Sequence, residues 1–136
     1  MLLLDRLIEA QDKTSTCEVT ITPHSLFVEP RGMPAFVGIE YMAQAIAAHG
    51  GYRSYQRGDP IEVGFLMGTP RWKSYDPFFD VGQTIRIQVV HIWGEHEVMR
   101  FHCTITDGNS GALLQQADLN VFRPKDLQAY LRGVKS

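Results

Sequence analysis

Phe36-Val37-Gly38-Ile39-Glu40-Tyr41-Met42-Ala43-Gln44-Ala45-Ile46-Ala47-Ala48 is apolar, or small and uncharged, at every position except Glu40 and Gln44. A helix apolar on all sides is normally a buried one, so this stretch predicts one central helix, opened by Pro34. Glu40 is then expected in or beside the core, where an unpaired carboxylate is costly or shifts its pKa upward and takes a proton. The alternative is an acid near the first turn, favoured by the helix dipole and reaching solvent. Gln44 lies one turn later on the same face and can hydrogen-bond the carboxyl, making a polar seam.

Outward from this helix, the flanking chain reads as sheet. Leu2 to Ile8 is a candidate first strand, whose abrupt apolar start suggests a trimmed or missing N-terminal segment. Cys17-Glu18-Val19-Thr20-Ile21-Thr22 alternates and is β-branched, as a half-buried strand should be. Pro23, Pro30, Gly32 and Pro34 break the chain into an irregular loop before the helix. Gly50-Gly51 weakens the helix and Arg57-Gly58-Asp59-Pro60 ends it.

Beyond it, Ile61 to Thr69 and Arg71 to Tyr75 are candidate strands, and Asp76-Pro77 with Asp80, Val81 and Gly82 form a loop. Ile85, Ile87 and Val89 then share one face of a strand. After a turn at Trp93-Gly94-Glu95-His96, Met99, Phe101, Cys103 and Ile105 alternate with polar residues. A second turn at Asp107-Gly108-Asn109-Ser110-Gly111 leads to Leu113–Phe122, with Ala117, Leu119 and Val121 facing in. One apolar helix and an antiparallel sheet with one apolar face satisfy each other's burial when the sheet curls around the helix. The expected fold is α+β, a long central helix wrapped by a curved antiparallel sheet.

At 136 residues the chain suits a single domain, here 1–136 with a polar tail over 124–136 expected to form a short surface helix. Its formal charge of -2, with acids and bases interspersed, gives no case for nucleic acid. Cys17 and Cys103 fall in predicted strands without metal or disulfide spacing, and read as buried reduced thiols. Leu2-Leu3-Leu4 is too short for a signal peptide, and Glu40 and Gln44 interrupt the longest apolar run. The expectation is a soluble, cytoplasmic protein.

Pro34-Ala35-Phe36-Val37-Gly38-Ile39-Glu40-Tyr41-Met42-Ala43-Gln44 resembles the helix motif of the hotdog-fold 3-hydroxyacyl-thioester dehydratases, in which Pro-Gly opens the central helix and Glu-x-Met-x-Gln follows. Met1-Leu2-Leu3-Leu4-Asp5-Arg6 is similar to that family's opening strand. Within the family, Gly38 to Gln44 looks like the dehydratase-like proteins of aryl-polyene pathways. The resemblance implies a hotdog fold, no cofactor, a homodimer or a heterodimer with a related hotdog subunit, and an acyl substrate on an acyl carrier protein. It also implies that a histidine on the loop before the helix removes the Cα proton, while the helix acid of the neighbouring protomer protonates the departing 3-hydroxyl.

Glu40 matches the acid. Backbone N–H groups over Phe36, Val37 and Gly38 would polarise the thioester carbonyl, and Gln44 would complete the substrate-binding set. The family's histidine has no counterpart: counting from Glu40 places it at Leu26, and counting from Val19-Thr20-Ile21 near Val28 or Glu29. His24 is the nearest imidazole, either catalytic or an exposed loop residue, and Glu29 is a further acid in the same loop. Ala35 replaces the family's glycine. The base can therefore come from His24 or from a related subunit.

His49 is expected near the helix end, complementing the dipole. His91, His96 and His102 lie on or beside meander strands and make no metal set, so no metal is expected. Phe65, Met67, Trp72, Phe78 and Phe79 could line an acyl tunnel, with at least three expected in core or interface. Arg53, Arg57, Arg71 and Lys73 could receive an acidic carrier protein or be solvated. Acyl-thioester hydrolysis, or non-catalytic acyl binding, are the alternative functions.

Overall fold

The computed structural model describes residues 2–59, 64–94, 97–124 and 127–135. One long helix packs against a large antiparallel sheet, the expected hotdog arrangement. The elements are β1 (Arg6–Ala10), β2 (Thr14–Thr20), β3 (Met33–Pro34), α1 (Val37–Arg57), β4 (Phe65–Gly68), β5 (Lys73–Ser74), β6 (Phe78–Phe79), β7 (Thr84–Trp93), β8 (Val98–Asp107), β9 (Leu113–Phe122) and α2 (Leu127–Lys135). The main sheet runs β1-β2-β7-β8-β9-β4, with β5 also on β9, and β3 pairs with β6 separately.

The meander forms because its alternation gives one apolar face. Ile85, Ile87 and Val89 of β7, Phe101, Cys103 and Ile105 of β8, and Ala117, Leu119 and Val121 of β9 are all buried. Val37, Tyr41, Met42, Ala45 and Ile46 of α1 complete that core. Each fully buried large aliphatic contributes roughly 1.5–3 kcal/mol. At the β8–β9 turn Asp107 accepts from Ser110 N–H at 2.7 Å and from Gln83 Nε2 at 3.0 Å. These bonds, the Ser110 backbone first, hold its carboxyl down at about 2.

Several boundaries differ from the sequence expectation. The first strand is Arg6–Ala10 rather than Leu2 to Ile8; ahead of it Leu4 turns into the core. The next strand is Thr14–Thr20, because the hairpin with β1 pairs Ala10 with Ser15. Pro34 does not start the helix. It lies in β3 opposite Phe78, and α1 begins at Val37, which places Glu40 in the first turn.

Gly50 and Gly51 leave α1 unbroken, because a helical glycine costs only about 1 kcal/mol and the packed turns around the pair outweigh it. The helix ends, as expected, at Gly58, whose φ of 72° only glycine adopts freely. Its N–H reaches Tyr55 O at 3.2 Å and that of Asp59 reaches Ser54 O at 2.9 Å. The strand expected from Ile61 is Phe65–Gly68; Pro60 to Val63 and the turn residues Glu95 and His96 lie outside the described residues. The tail forms the expected helix, α2. No described helix is long and apolar enough to cross a membrane.

Cys17 and Cys103 are free and buried, as expected. Burial pushes Cys17 up to about 11 and Cys103 higher still, so neither is a ready thiolate. His49 is a correction: it is not a helix-end cation but a buried residue two turns earlier, 2% exposed. Its Nδ1 lies 2.5 Å from Ser15 Oγ on β2, and among the described residues Nε2 has no partner. Desolvation, then Arg53 and His91, lower its pKa from 6.5.

The unfolded chain therefore takes a proton on this imidazole before the folded chain does, and stability is lost as pH falls from 6.5 toward the lower folded value. Urea midpoints measured from pH 7.5 to 5 are expected to fall in the natural chain and to fall less in His49→Gln. The difference should approach about 1 kcal/mol per pH unit; parallel pH dependences would contradict it.

Candidate functional site at the start of the helix

Between β2 and α1 the chain folds into a bonded loop. Ser25 closes a turn, its Oγ accepting from Thr22 N–H at 2.9 Å while its own N–H reaches Thr22 O at 3.1 Å. Glu29 and Gly32 exchange N–H···O bonds of 2.9 Å each. Phe27, between them, takes φ 71°, a left-handed conformation costly for a side chain of this size. Ala35 N–H reaches Pro77 O at 2.9 Å, and the helix starts two residues later.

The helix start is set by a residue the sequence reading passed over. Gln115 of β9 is buried, and its Nε2 donates to Ala35 O at 2.7 Å and to Ser74 Oγ at 3.1 Å. A Cβ at Gly38 would run into the same amide. Gly38 is therefore a packing residue rather than a wall of the groove. Its N–H is also committed, to Ala35 O at 2.9 Å, and that of Ile39 goes to Phe36 O at 3.2 Å. Of the three backbone positions expected to polarise a carbonyl, Phe36 and Val37 are those that line a groove.

That groove has a volume of about 340 Å³ and is walled by Leu3, Leu26, Phe27, Phe36 and Val37, with Glu40 and Gln44 as its polar members. Phe27 and Phe36 are 56% and 64% exposed, so the loop and the helix start present aromatic surface to whatever enters. Glu40 is exposed rather than buried, a correction to the expected core carboxylate. The reason is geometric. The sheet covers the stripe through Val37, Tyr41, Met42, Ala45 and Ile46, and the other side of α1 consists largely of alanine and glycine, which read as apolar without demanding burial.

Gln44 does bond the carboxyl, its Nε2 reaching Glu40 Oε1 at 3.1 Å, while its Oε1 accepts from Leu3 N–H at 2.7 Å. His24 sits in the exposed Thr22–Ser25 turn and is not a groove residue. Leu26, the position counted for the family's histidine, is one. Glu29 is exposed and also outside the groove. Leu3 and Phe27 escaped the sequence reading, since neither lies in a periodic segment.

The other candidates are dispersed. Phe79 is core, packed on Tyr41 with ring centroids 6.1 Å apart, and Trp72 is half-buried against the core. Met67 is exposed, and none of the five aromatic or Met candidates lines the groove. Arg53 pairs with Asp12 at 3.2 Å and Arg71 approaches Asp118 at 3.9 Å. His102, on the outer sheet face, bonds the Asp118 carboxylate at 2.8 Å. Among the described residues no cluster suited to a metal ion occurs. A larger hollow of about 660 Å³ lies at the other end of α1, bordered by Arg53, Arg57, His49 and His91. His49 Nδ1 is engaged with Ser15, and His91 Nε2 with the Trp93 carbonyl at 3.1 Å.

A sequence profile of the ApeP-like family, described as ApeP dehydratase, matches residues 1–132. The chain belongs to the ApeP-like dehydratases. Among solved structures, this ApeP-like chain is similar to the dehydratase heterocomplex ApeI:P from Xenorhabdus doucetiae, with TM-score 0.90 and 24% identity over 99% of this chain and 90% of that one. A hypothetical thioesterase with coenzyme A from Streptococcus pneumoniae has TM-score 0.70 and 9% identity over 88% and 84% of the two chains. A Streptococcus mutans protein bound to acetyl CoA gives TM-score 0.69 at 8% identity over 87% and 86%. These identities establish a shared fold. No curated protein sequence matches the chain.

The left-handed Phe27 of this ApeP-like loop makes a direct test. Phe27→Gly relieves backbone strain and is expected to leave unfolding stability within about 1 kcal/mol of the natural chain or above it. Phe27→Val, β-branched at the same φ, is expected to lose more than about 1 kcal/mol. Urea denaturation of both variants checks the order, and Val matching Gly would contradict it.

Proposed function

We propose that this chain is the acid-bearing subunit of a 3-hydroxyacyl-thioester dehydratase, acting on carrier-protein-bound acyl chains in aryl-polyene biosynthesis. Its base is a histidine supplied by a related hotdog subunit. The observation that carries this reading is the groove: Glu40 lines it, and this chain's own loop brings Leu26, not a histidine, to the position counted for the base. Membership of a dehydratase family supports the reaction class, and the similar Xenorhabdus doucetiae assembly is a heterocomplex.

In the reaction, the partner's imidazole takes the Cα proton and the freed electron pair forms the Cα=Cβ bond. The Cβ–O bond breaks as Glu40 gives its proton to the departing hydroxyl, and water leaves. Phe36 and Val37 N–H groups, at the open start of α1, hold the thioester carbonyl as negative charge grows on it. The apolar walls take the acyl chain. Glu40 is exposed in the single chain, so the partner must close over the groove to exclude water from the reacting atoms.

Hydration of a short 2-enoyl thioester, followed by loss of enoyl absorbance, tests this. The chain alone is expected to be silent and the complex with a histidine-bearing hotdog subunit active, with Glu40→Gln lowering turnover roughly 100- to 10,000-fold. Robust turnover by the chain alone overturns the shared site. An active Glu40→Gln complex overturns the acid role, and release of free thiol would identify a hydrolase instead.

A further inference from the structure

Gln44 is the one amide in the groove, and its two ends are already committed within the chain. Its oxygen accepts from Leu3 N–H at 2.7 Å, and its Nε2 donates to Glu40 Oε1 at 3.1 Å. A backbone N–H can only donate, so the end of the amide facing Leu3 must be oxygen and the end facing Glu40 must be NH₂. The Leu3 N–H thus selects the amide orientation that bonds the carboxyl.

Leu3 is itself held in place. Leu4 beside it is buried in the core. Asp5 N–H donates to Glu18 O at 2.9 Å, and the Asp5 carboxylate accepts from Thr20 N–H at 2.8 Å. An unbroken path therefore runs from β2 through the N-terminal segment and Gln44 to one oxygen of Glu40.

We propose that Gln44 is a positioning residue for Glu40, set in its working orientation by the N-terminal segment Leu3–Asp5, and not a substrate-binding residue. With Oε1 occupied by the Gln44 donor, the other carboxyl oxygen is the one that carries the proton toward the substrate hydroxyl. A freely rotating carboxyl on an exposed first turn would present neither oxygen reliably. The amide bond converts a mobile side chain into one with a defined reacting atom.

The proposal rests on the acid role of Glu40 given above, and two substitutions in the complex test it. Gln44→Met keeps the length but makes neither bond; Gln44→Glu keeps the acceptor for Leu3 N–H and loses the donor to Glu40. Both are expected to lower kcat about 10- to 100-fold with KM changed less than about threefold. Combining Gln44→Met with Glu40→Gln should lower kcat no further than Glu40→Gln alone.

In the isolated chain, hydrogen exchange at the Leu3 amide is expected to be slowed in the natural protein and in Gln44→Glu, and fast in Gln44→Met. Unchanged kcat in Gln44→Met and Gln44→Glu overturns the positioning role, as does a KM rise that accounts for the whole loss. An unprotected Leu3 amide in the natural chain overturns the N-terminal link. If Glu40→Gln leaves turnover intact, the acid role fails; if Glu40→Gln abolishes it while Gln44→Met does not, the positioning role alone fails.

Discussion

The buried Gln115 amide determines where the helix begins and which way its first turn faces. It donates to Ala35 O at 2.7 Å and Ser74 Oγ at 3.1 Å and approaches Trp72 Nε1 at 3.4 Å, so one side chain of β9 gathers the loop before α1 and the strand β5. A buried amide left without these partners would be costly, and that cost holds the three segments together. Gly38 lies against this amide and has no room for a Cβ. Two residues on, about 200° round the helix, Glu40 has to face away from the sheet. The exposure of the carboxylate follows from the same packing that anchors the helix.

Polar groups on the two sides of α1 are accordingly handled in different ways. Toward the sheet, His49 is desolvated, bonded to Ser15 and shifted toward its neutral form, as burial of an ionisable group requires. On the outer side, Glu40 keeps its contact with water and is tied by Gln44. The inner groups hold elements together; the outer pair is left where another surface can reach it. A groove of about 340 Å³ with exposed aromatic walls lies beside that pair.

Much of the fold was legible because the sheet residues alternate strictly. Ile85, Ile87 and Val89, then Phe101, Cys103 and Ile105, have no reading but one buried face, and the structure buries all six. The helix was legible as an element but its exposure pattern was not, since Ala43, Ala47, Ala48, Gly50 and Gly51 are compatible with either environment and a periodicity argument has no purchase on them. Pro34 misled for a local reason: a proline can open a helix or sit in an edge pair, and pairing with Phe78 is a long-range contact the local sequence does not carry. Glu40, Gln44, Phe36 and Val37 do gather in one groove, whereas Gly38 serves packing and His24 stands in a separate exposed turn. Leu3 and Phe27 reach the site only through tertiary folding, and Gln115 looked like an ordinary polar residue in an alternating strand.

The loop that carries Leu26 and Phe27 is both strained and exposed. Phe27 is held at φ 71° and is more than half exposed, so little burial within the chain offsets its strain. The Thr22–Ser25 turn, the Ser25–Val28 bond of 3.2 Å and the Glu29–Gly32 pair over-determine the conformation instead, which is how strained residues persist at functional surfaces. These bonds hold an apolar wall in place. Where the dehydratases that this chain resembles combine a loop histidine from one protomer with a helix acid from the other, two copies of this chain would set Leu26 opposite Glu40 in both sites. Each would have an acid and an apolar groove, with the loop's imidazole, His24, in the exposed Thr22–Ser25 turn outside it. On the proposed reaction, the loop that faces Glu40 belongs to a chain with an imidazole where this one has Leu26.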